Sequence, residues 1–363
     1  MANTLAYGFV ALEHLFNERI ATLGTQRIFD AIRISAEEHT RQINGLMASF
    51  MMRTVAAQEQ FELPGGGTLQ PLDEYGNPLP VRPSGAYQVA FPIQGGGTAW
   101  GDNRITRELM TVQEANRNTL EAQRMDADWI RRHALAAVYD NVTWTYKDLV
   151  GPDGAKGLGN ITIQPLANGD TVTYVKVGGA SATDTHYLAQ ASAIDDSNNP
   201  FDTIRDELLE HPSNSGPIAV YTPTNLRASI EALTAFIEIS DPAIRLSISS
   251  DELVTNLDRG FGDELIGYIK GSRCYIIEWR ALPDDYLVAH ARGGGPVLKM
   301  REYPATRLQG FFMENHSPDG NLQVTRMLRY AGFGVSNRVA ALVMRIGNGT
   351  YAIPTGYNAP LAV

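Results

Sequence analysis

A single cysteine, Cys274, stands among 363 residues, so no disulfide can form within the chain. Its place in the apolar run "CYIIEW" reads as a small buried hydrophobe and not as a catalytic thiol. Long apolar runs are missing too: none nears the roughly 20 residues needed to span a bilayer. The opening "MANTLAYGFVALEHLFNERI" lacks a basic n-region and an A-x-A-like cleavage site, so no secretory signal is expected. Lysine is scarce, five of the 30 basic residues. The arginines that take its place suit planar, bidentate, partly buried ion pairs between surfaces, a hint of protein–protein contacts. Positive charge as a whole is in deficit, with a formal net charge of -10. An acidic chain grips a phosphate backbone poorly through its overall field.

The signatures of chemistry are also absent. "GPDGAKG" and "GGGPVLK" contain glycine and lysine but not the spacing of a phosphate loop. There is no G-x-S-x-G elbow, no G-x-G-x-x-G after a strand, no H-x-x-x-H and no C-x-x-C. The acidic group Asp195, Asp196, Asp202, Asp206 and Glu207 lacks the glycine and terminal glutamate of a calcium loop, and reads as a solvated connector. Asp284 and Asp285 sit in a tight turn, where aspartate is common for conformational reasons. These absences leave no reaction class, so neither enzyme activity nor a cofactor or metal is expected.

What the chain does have is order. From about Leu12 to Gln60, Phe29, Ile32, Ala36, Ile43, Met47 and Phe50 recur at helical steps, with His39 on the same stripe as a satisfied, half-buried residue. Then comes "LPGGGTLQPLDEYGNPLPVRPSGAYQVAFPIQGGGTAW", Leu63 to Trp100. One glycine triplet (Gly65, Gly66, Gly67) opens it, another (Gly95, Gly96, Gly97) closes it, and five prolines lie between. This reads as a long two-stranded hairpin with little core of its own, swinging on glycine hinges. A helix from Arg104 to Tyr139 follows, capped by Asp102 or Asn103 and far longer than the usual three to four turns.

Beyond it, "GNITIQPL" and "DTVTYVKV" read as strands joined at "ANGD", and "DTIRDELLEH" as a short helix. "GPIAVYTP" is a buried strand, with Thr222 capping the next helix and Pro223 at its first position. "RCYIIEW", "YLVAHA" and "RVAALVMRI" are further strands. "RLQGFFMENHSPDGNLQVTRMLRYAGFGV" reads as two long strands joined at "SPDG". The class is α+β, without regular β-α alternation or internal repeat.

This order of elements resembles the major capsid proteins of tailed double-stranded-DNA phages, the Hong Kong 97 type of fold. The resemblance rests on the arm and long helix, on "GPIAVYTPTNLRASIEAL", on "GYIKGSRCYIIEWRALPDDYLVAHA" and on "REYPATRLQGFFMENHSPDGNLQVTRMLRYAGFGVSNRVAALVMRI". It implies an N-terminal helical arm (1–60), an extended E-loop (61–102), and a P-domain with the spine helix (103–150) whose return hairpin is 301–335. The A-domain would comprise 151–300 and the C-terminal strands 336–363, with 157–180 as an insertion. Tyr75, Arg82, Tyr87 and Phe91 would anchor the E-loop on a neighbour, and Asn315, Pro318, Asp319 and Gly320 would form the P-domain turn.

The implied partners are copies of the same chain in hexamers and pentamers, a separate scaffolding protein, a portal and a decoration protein. Double-stranded DNA would be enclosed through weak, non-specific contact in a virion capsid assembled in the host cytoplasm. Some members of this family join an E-loop lysine to a P-domain asparagine. Between Phe61 and Gly101 this chain has no lysine, so Asn315 and Asn321 have no partner and that chemistry is not carried over. Two other readings stand beside this one: an encapsulin-like compartment of the same fold, and a soluble hydrolase with an unrecognised site.

Overall fold

The computed structural model describes residues 5–47, 51–62, 72–77, 86–103, 109–145, 162–169, 174–177, 181–238, 264–315 and 322–359. Two sheets dominate. Seven strands run in the order Phe236–Glu238, Glu264–Ile269, Cys274–Glu278, Ile218–Thr222, Tyr286–Ala291, Ala341–Ile346 and Tyr187–Gln190. The second sheet is built around one long strand, Leu322–Val335. It pairs antiparallel with Ile93–Asn103, with Phe311–Asn315 and with Leu298–Arg301, and Met51–Thr54 adds in parallel to the last of these.

Alternation along the seven-stranded sheet shows why its central strands are mostly apolar at successive positions. Ile218–Thr222 is buried throughout. Ala219 and Tyr221 enter one core, while Ile218 and Val220 enter another. Val288 and Val343 follow the first pattern, and Leu287, Ala289, Leu342 and Met344 the second. With side chains alternating between faces, a strand covered on both sides must be hydrophobic at successive residues. Helices Pro200–Leu209 and Thr224–Glu231 cover one face through Phe201, Ile204, Leu208, Leu226 and Ile230. The other face meets the C-terminal half of the long helix Val112–Tyr139, whose Ile130, Leu135, Val138 and Tyr139 also touch Leu298, Met300 and Phe333 of the second sheet. That helix ties the two sheets together.

The long helix starts later than its apolar pattern predicts. Thr111 is its cap: the hydroxyl accepts the Glu114 N–H at 3.3 Å, and Glu114 Oε2 accepts the Thr111 N–H at 2.9 Å. This reciprocal box satisfies two end donors at once. Asp102 and Asn103 are instead the last residues of a strand, paired with Gln323 and Leu322. The 28 residues that remain make a rod of about 42 Å.

Other expectations shift for local reasons. The N-terminal helical reading resolves into a 3-10 segment, Tyr7–Leu15, one turn at Ile20–Leu23 and a helix Thr25–Met47; the expected continuation to Gln60 is strand. Pro223 itself is the cap of the following helix, which begins at Thr224. Thr162–Ile163 pairs with Trp144–Thr145, and Tyr174–Val175 with Ser181–Ala182, so these two segments do not form a hairpin with each other. Arg338 explains the first: it donates to the carbonyls of Pro165 and Asn168, holding that loop against the long helix's end, where Leu166 N–H bonds Ala137 O.

Candidate assembly surface

The arm leaves the body as a real hairpin. Gln58–Glu62 runs antiparallel to Ala86–Ala90, with Phe61 opposite Tyr87. The base of this hairpin belongs to the core: Val89, Ala90 and Phe91 are buried, Phe91 completely. Phe91 therefore corrects the expectation that it would anchor on a neighbour, because its ring is already surrounded within its own chain. Farther out, the turn 72–77 closes on Asp73. Asp73 Oδ1 accepts the N–H groups of Tyr75 at 2.9 Å and Asn77 at 2.7 Å, a local side-chain turn that draws the carboxyl below the usual carboxylate range. Leu72 and Tyr75 there are 64 % and 81 % exposed. Arg82, the triplet Gly65 to Gly67, and Pro318, Asp319 and Gly320 lie outside the described residues, while Asn315 ends its strand.

The second glycine triplet is not a hinge. Gly95, Gly96 and Gly97 are paired strand residues facing Tyr330, Arg329 and Leu328. Side chains lie where theirs would be. A Cβ on Gly96 would stand 2.8 Å from the indole nitrogen of Trp129, and one on Gly97 would stand 2.6 Å from Leu328 Cδ2. Glycine is present for close approach, which a sequence reading confuses with freedom.

Beneath this strand lies a buried ionic centre. Arg329 Nε and Nη2 donate to Asp126 Oδ1 and Oδ2 at 2.5 and 2.8 Å. His39 Nε2 is 2.9 Å from Asp126 Oδ2. Glu302 faces Arg329 Nη1 at 3.7 Å, pairs with Arg53, and accepts the Gly310 N–H at 3.0 Å. Five segments far apart in sequence thus meet through charge, and each group's removal would strand another in a dry setting. A cavity of about 130 Å³ opens beside them, walled by Gly96, Gly97, Met125, Trp129, Phe311 and Arg329. The sequence flagged only His39 of this set, as a satisfied half-buried residue, and that it is.

The acidic connector divides among separate local partners. Asp195 bonds Asn198, Asp196 bonds Thr234, and Asp202 and Asp206 hold Arg205. Burial, then the charges of Asp184 and Glu210, pushes the Glu207 carboxyl up to about 7. Asp184, Glu210 and His211 have the spacing of an ion site, but the ammonium of Lys176 already lies 2.5 Å from Glu210 Oε1, where it supplies the positive charge. Cys274 is fully buried, and burial pushes its thiol up to about 12, which leaves it no nucleophilic role. No described helix is long and apolar enough to cross a membrane.

No protein-family model matches the sequence, and no curated protein does. Solved structures do match. A chain of Mycobacterium phage Patience aligns with a TM-score of 0.66 at 17 % identity, over 94 % of this chain and 92 % of that one. The capsid of a native GTA particle aligns more loosely, at 0.47 and 12 % over 85 % and 90 %. A virus-like particle from Pyrococcus furiosus gives 0.42 and 11 % over 87 % and 99 %. The fold of this chain is the one seen in the Mycobacterium phage Patience chain.

Proposed function

We propose that the chain is the major capsid protein of a tailed phage, a shell subunit that assembles into hexamers and pentamers around double-stranded DNA. The observation that carries this is the overlay on the phage Patience chain along nearly the whole of both chains. The arm supports it independently: its turn at 72–77 exposes Leu72 and Tyr75, and neither residue belongs to any of the core clusters among the described residues. An isolated turn of this kind gains by lying on another surface, and in a shell that surface is a neighbouring copy.

In this reading 61–102 is the E-loop, 103–150 with 301–335 the P-domain, and 151–300 with 336–363 the A-domain, behind an N-terminal arm of 1–60. Tyr75, Tyr87 and Arg82 remain the arm's contact residues. A separate scaffolding protein, a portal and a decoration protein are the expected partners, and the role is structural and not enzymatic. The net charge of -10 suits a wall that encloses DNA without gripping it.

Electron microscopy of the purified protein tests the reading. Closed shells tens of nanometres across, with fivefold and sixfold capsomers, are expected (an order-of-magnitude size). A stable monomer at high concentration in physiological salt would overturn it.

A further inference from the structure

The cavity beside the ionic centre is lined by two residues that each hold a hydrogen-bond donor with nothing to bond. It measures about 130 Å³, close to the roughly 150 Å³ of a void that takes up a benzene ring. Ala122, Met125, Trp129 and Phe311 give it apolar walls, and Gly96 and Gly97 a side free of side chains. Met125 and Gly97 are exposed and mark its way to solvent. The Arg329 guanidinium stands over the Phe311 ring, 6.0 Å from its centroid. Nε and Nη2 are taken by Asp126, but Nη1 has no hydrogen-bond partner among the described residues. Glu302 Oε1, 3.7 Å away, is too far to serve. The Arg329 side chain is 1 % exposed, so bulk solvent does not reach it. The Trp129 indole nitrogen, buried beside Gly96, is unpartnered in the same way.

Buried donors in folded proteins are satisfied, so an unpaired one marks a place where an acceptor belongs. The charge already present decides which kind. The guanidiniums of Arg53 and Arg329 face the carboxylates of Asp126 and Glu302, two against two. An anion or a cation entering here would be a surplus charge in a dry setting. A neutral ligand would not. Two aromatic rings and a thioether favour a flat aromatic body over an aliphatic one. We propose that this cavity is a binding site for a neutral phenol. Its ring lies among Met125, Trp129 and Phe311, and its oxygen accepts from Arg329 Nη1. Asp126 Oδ1, which accepts from Arg329 Nε, keeps a lone pair for the phenolic proton. Nothing in the site depends on assembly.

A phenol reaches such a site either free or at the end of a tyrosine. Tyr75, exposed on the arm's turn, presents one to other copies of the chain. The two sources share their chemistry and differ in their effect on assembly. A free ligand leaves assembly alone. If the occupant is a neighbour's tyrosine, p-cresol, which is the tyrosine side chain by itself, competes with it.

Titration of the unassembled full chain with p-cresol tests this, read at the Trp129 indole N–H by NMR and as a thermal shift. Trp129→Phe identifies the resonance. A saturable shift at millimolar p-cresol is expected. Toluene, which lacks the hydroxyl, should bind about tenfold or more weakly, as the loss of one hydrogen bond implies. The anion p-toluate should not bind. Ala122→Leu fills the cavity and should abolish the shift; if that variant does not fold, Thr98→Ile fills it from the strand. An indole signal that never moves overturns the proposal. So does toluene binding as tightly as p-cresol, or binding undiminished in the filled variants. Light scattering of assembling subunits separates the sources. Assembly slowed by p-cresol, and poor in the filled variant alone, assigns the site to a tyrosine of another copy. Assembly indifferent to both assigns it to a free phenol.

Discussion

Asp126 and Arg329, 203 residues apart, join through two hydrogen bonds of 2.5 and 2.8 Å, with their side chains 2 % and 1 % exposed. The pair clamps the long helix to the long strand, and His39 and Glu302 extend the clamp to two further segments. Arg329→Met should destabilise the chain by about 3–5 kcal/mol, because it leaves the Asp126 carboxylate buried without its cation. Combining it with Asp126→Leu should recover much of that loss. Chemical denaturation of the wild type and both variants measures the difference, and a double variant as weak as the single one would show that the centre contributes more than charge balance.

The close fit of strand and helix at Gly96 gives a second expectation. Trp129 lies over this glycine and stacks on His133, with ring centroids 4.1 Å apart. The indole also meets Phe333, its ring 5.8 Å away, so moving it disturbs two further rings. Gly96→Ala should therefore cost about 1–3 kcal/mol, as overpacking does. Gly95→Ala should cost less, since the Tyr330 ring it meets is half-buried and can tilt outward. Paired thermal melts rank the two, and equal melts would mean that the strand simply shifts.

These two sites mark what the sequence can and cannot disclose. Ile218–Thr222 and Cys274–Glu278 were legible because a strand covered on both faces is apolar at successive positions. The arm's strand Ala86–Ala90 and a helix well beyond the usual length were legible from punctuation and period, though not where that helix starts. The ionic centre was not, because nothing local links Arg53, Asp126, Glu302 and Arg329. The excess of arginine over lysine pointed to contacts between proteins, whereas Arg329 uses its guanidinium inside its own chain. Gly95 to Gly97 misled for the opposite reason: a glycine run looks the same whether it serves motion or close packing. Asp102 and Asn103 misled as caps because both are good cap residues that strand pairing had already claimed.

Cys274 should be silent to thiol reagents while the chain is folded. It is completely buried, it reaches the Phe201 and Ser272 carbonyls at 3.8 and 3.6 Å, and burial pushes it up to about 12. Reaction requires the thiolate, so neither pH 8 nor excess reagent should label it appreciably. Labelling should appear together with global unfolding in denaturant. Fast modification in buffer would reveal a local opening of the strand Cys274–Glu278.

Assembled particles should contain no covalent bonds between subunits. No lysine lies between Phe61 and Gly101, so an arm amine cannot reach an asparagine of another copy. Boiling in detergent should return one band near 39.7 kDa. A ladder of multiples would require a different nucleophile, one that the arm's composition does not suggest.

The arm itself divides into a part that holds the subunit and a part that reaches beyond it, and the two can be separated experimentally. Phe91 is fully buried, and Val89 and Ala90 beside it are nearly so. Phe91→Ala should then cost about 3–5 kcal/mol in the isolated subunit, before any assembly is considered. The segment 63–85 is different, because its described portion, 72–77, makes a local turn on Asp73 and exposes Leu72 and Tyr75. Replacing 63–85 with a short Gly-Ser linker should leave the thermal melt and the circular dichroism almost unchanged while electron microscopy finds no closed shells. Tyr75→Ala should weaken assembly in the same direction without touching the melt, since a ring that is 81 % exposed contributes little to its own core. A lowered melt in the linker variant would place the whole arm in the subunit's core. Normal shells from it would instead mean that contacts between copies are made elsewhere, and that the arm is not the assembly element.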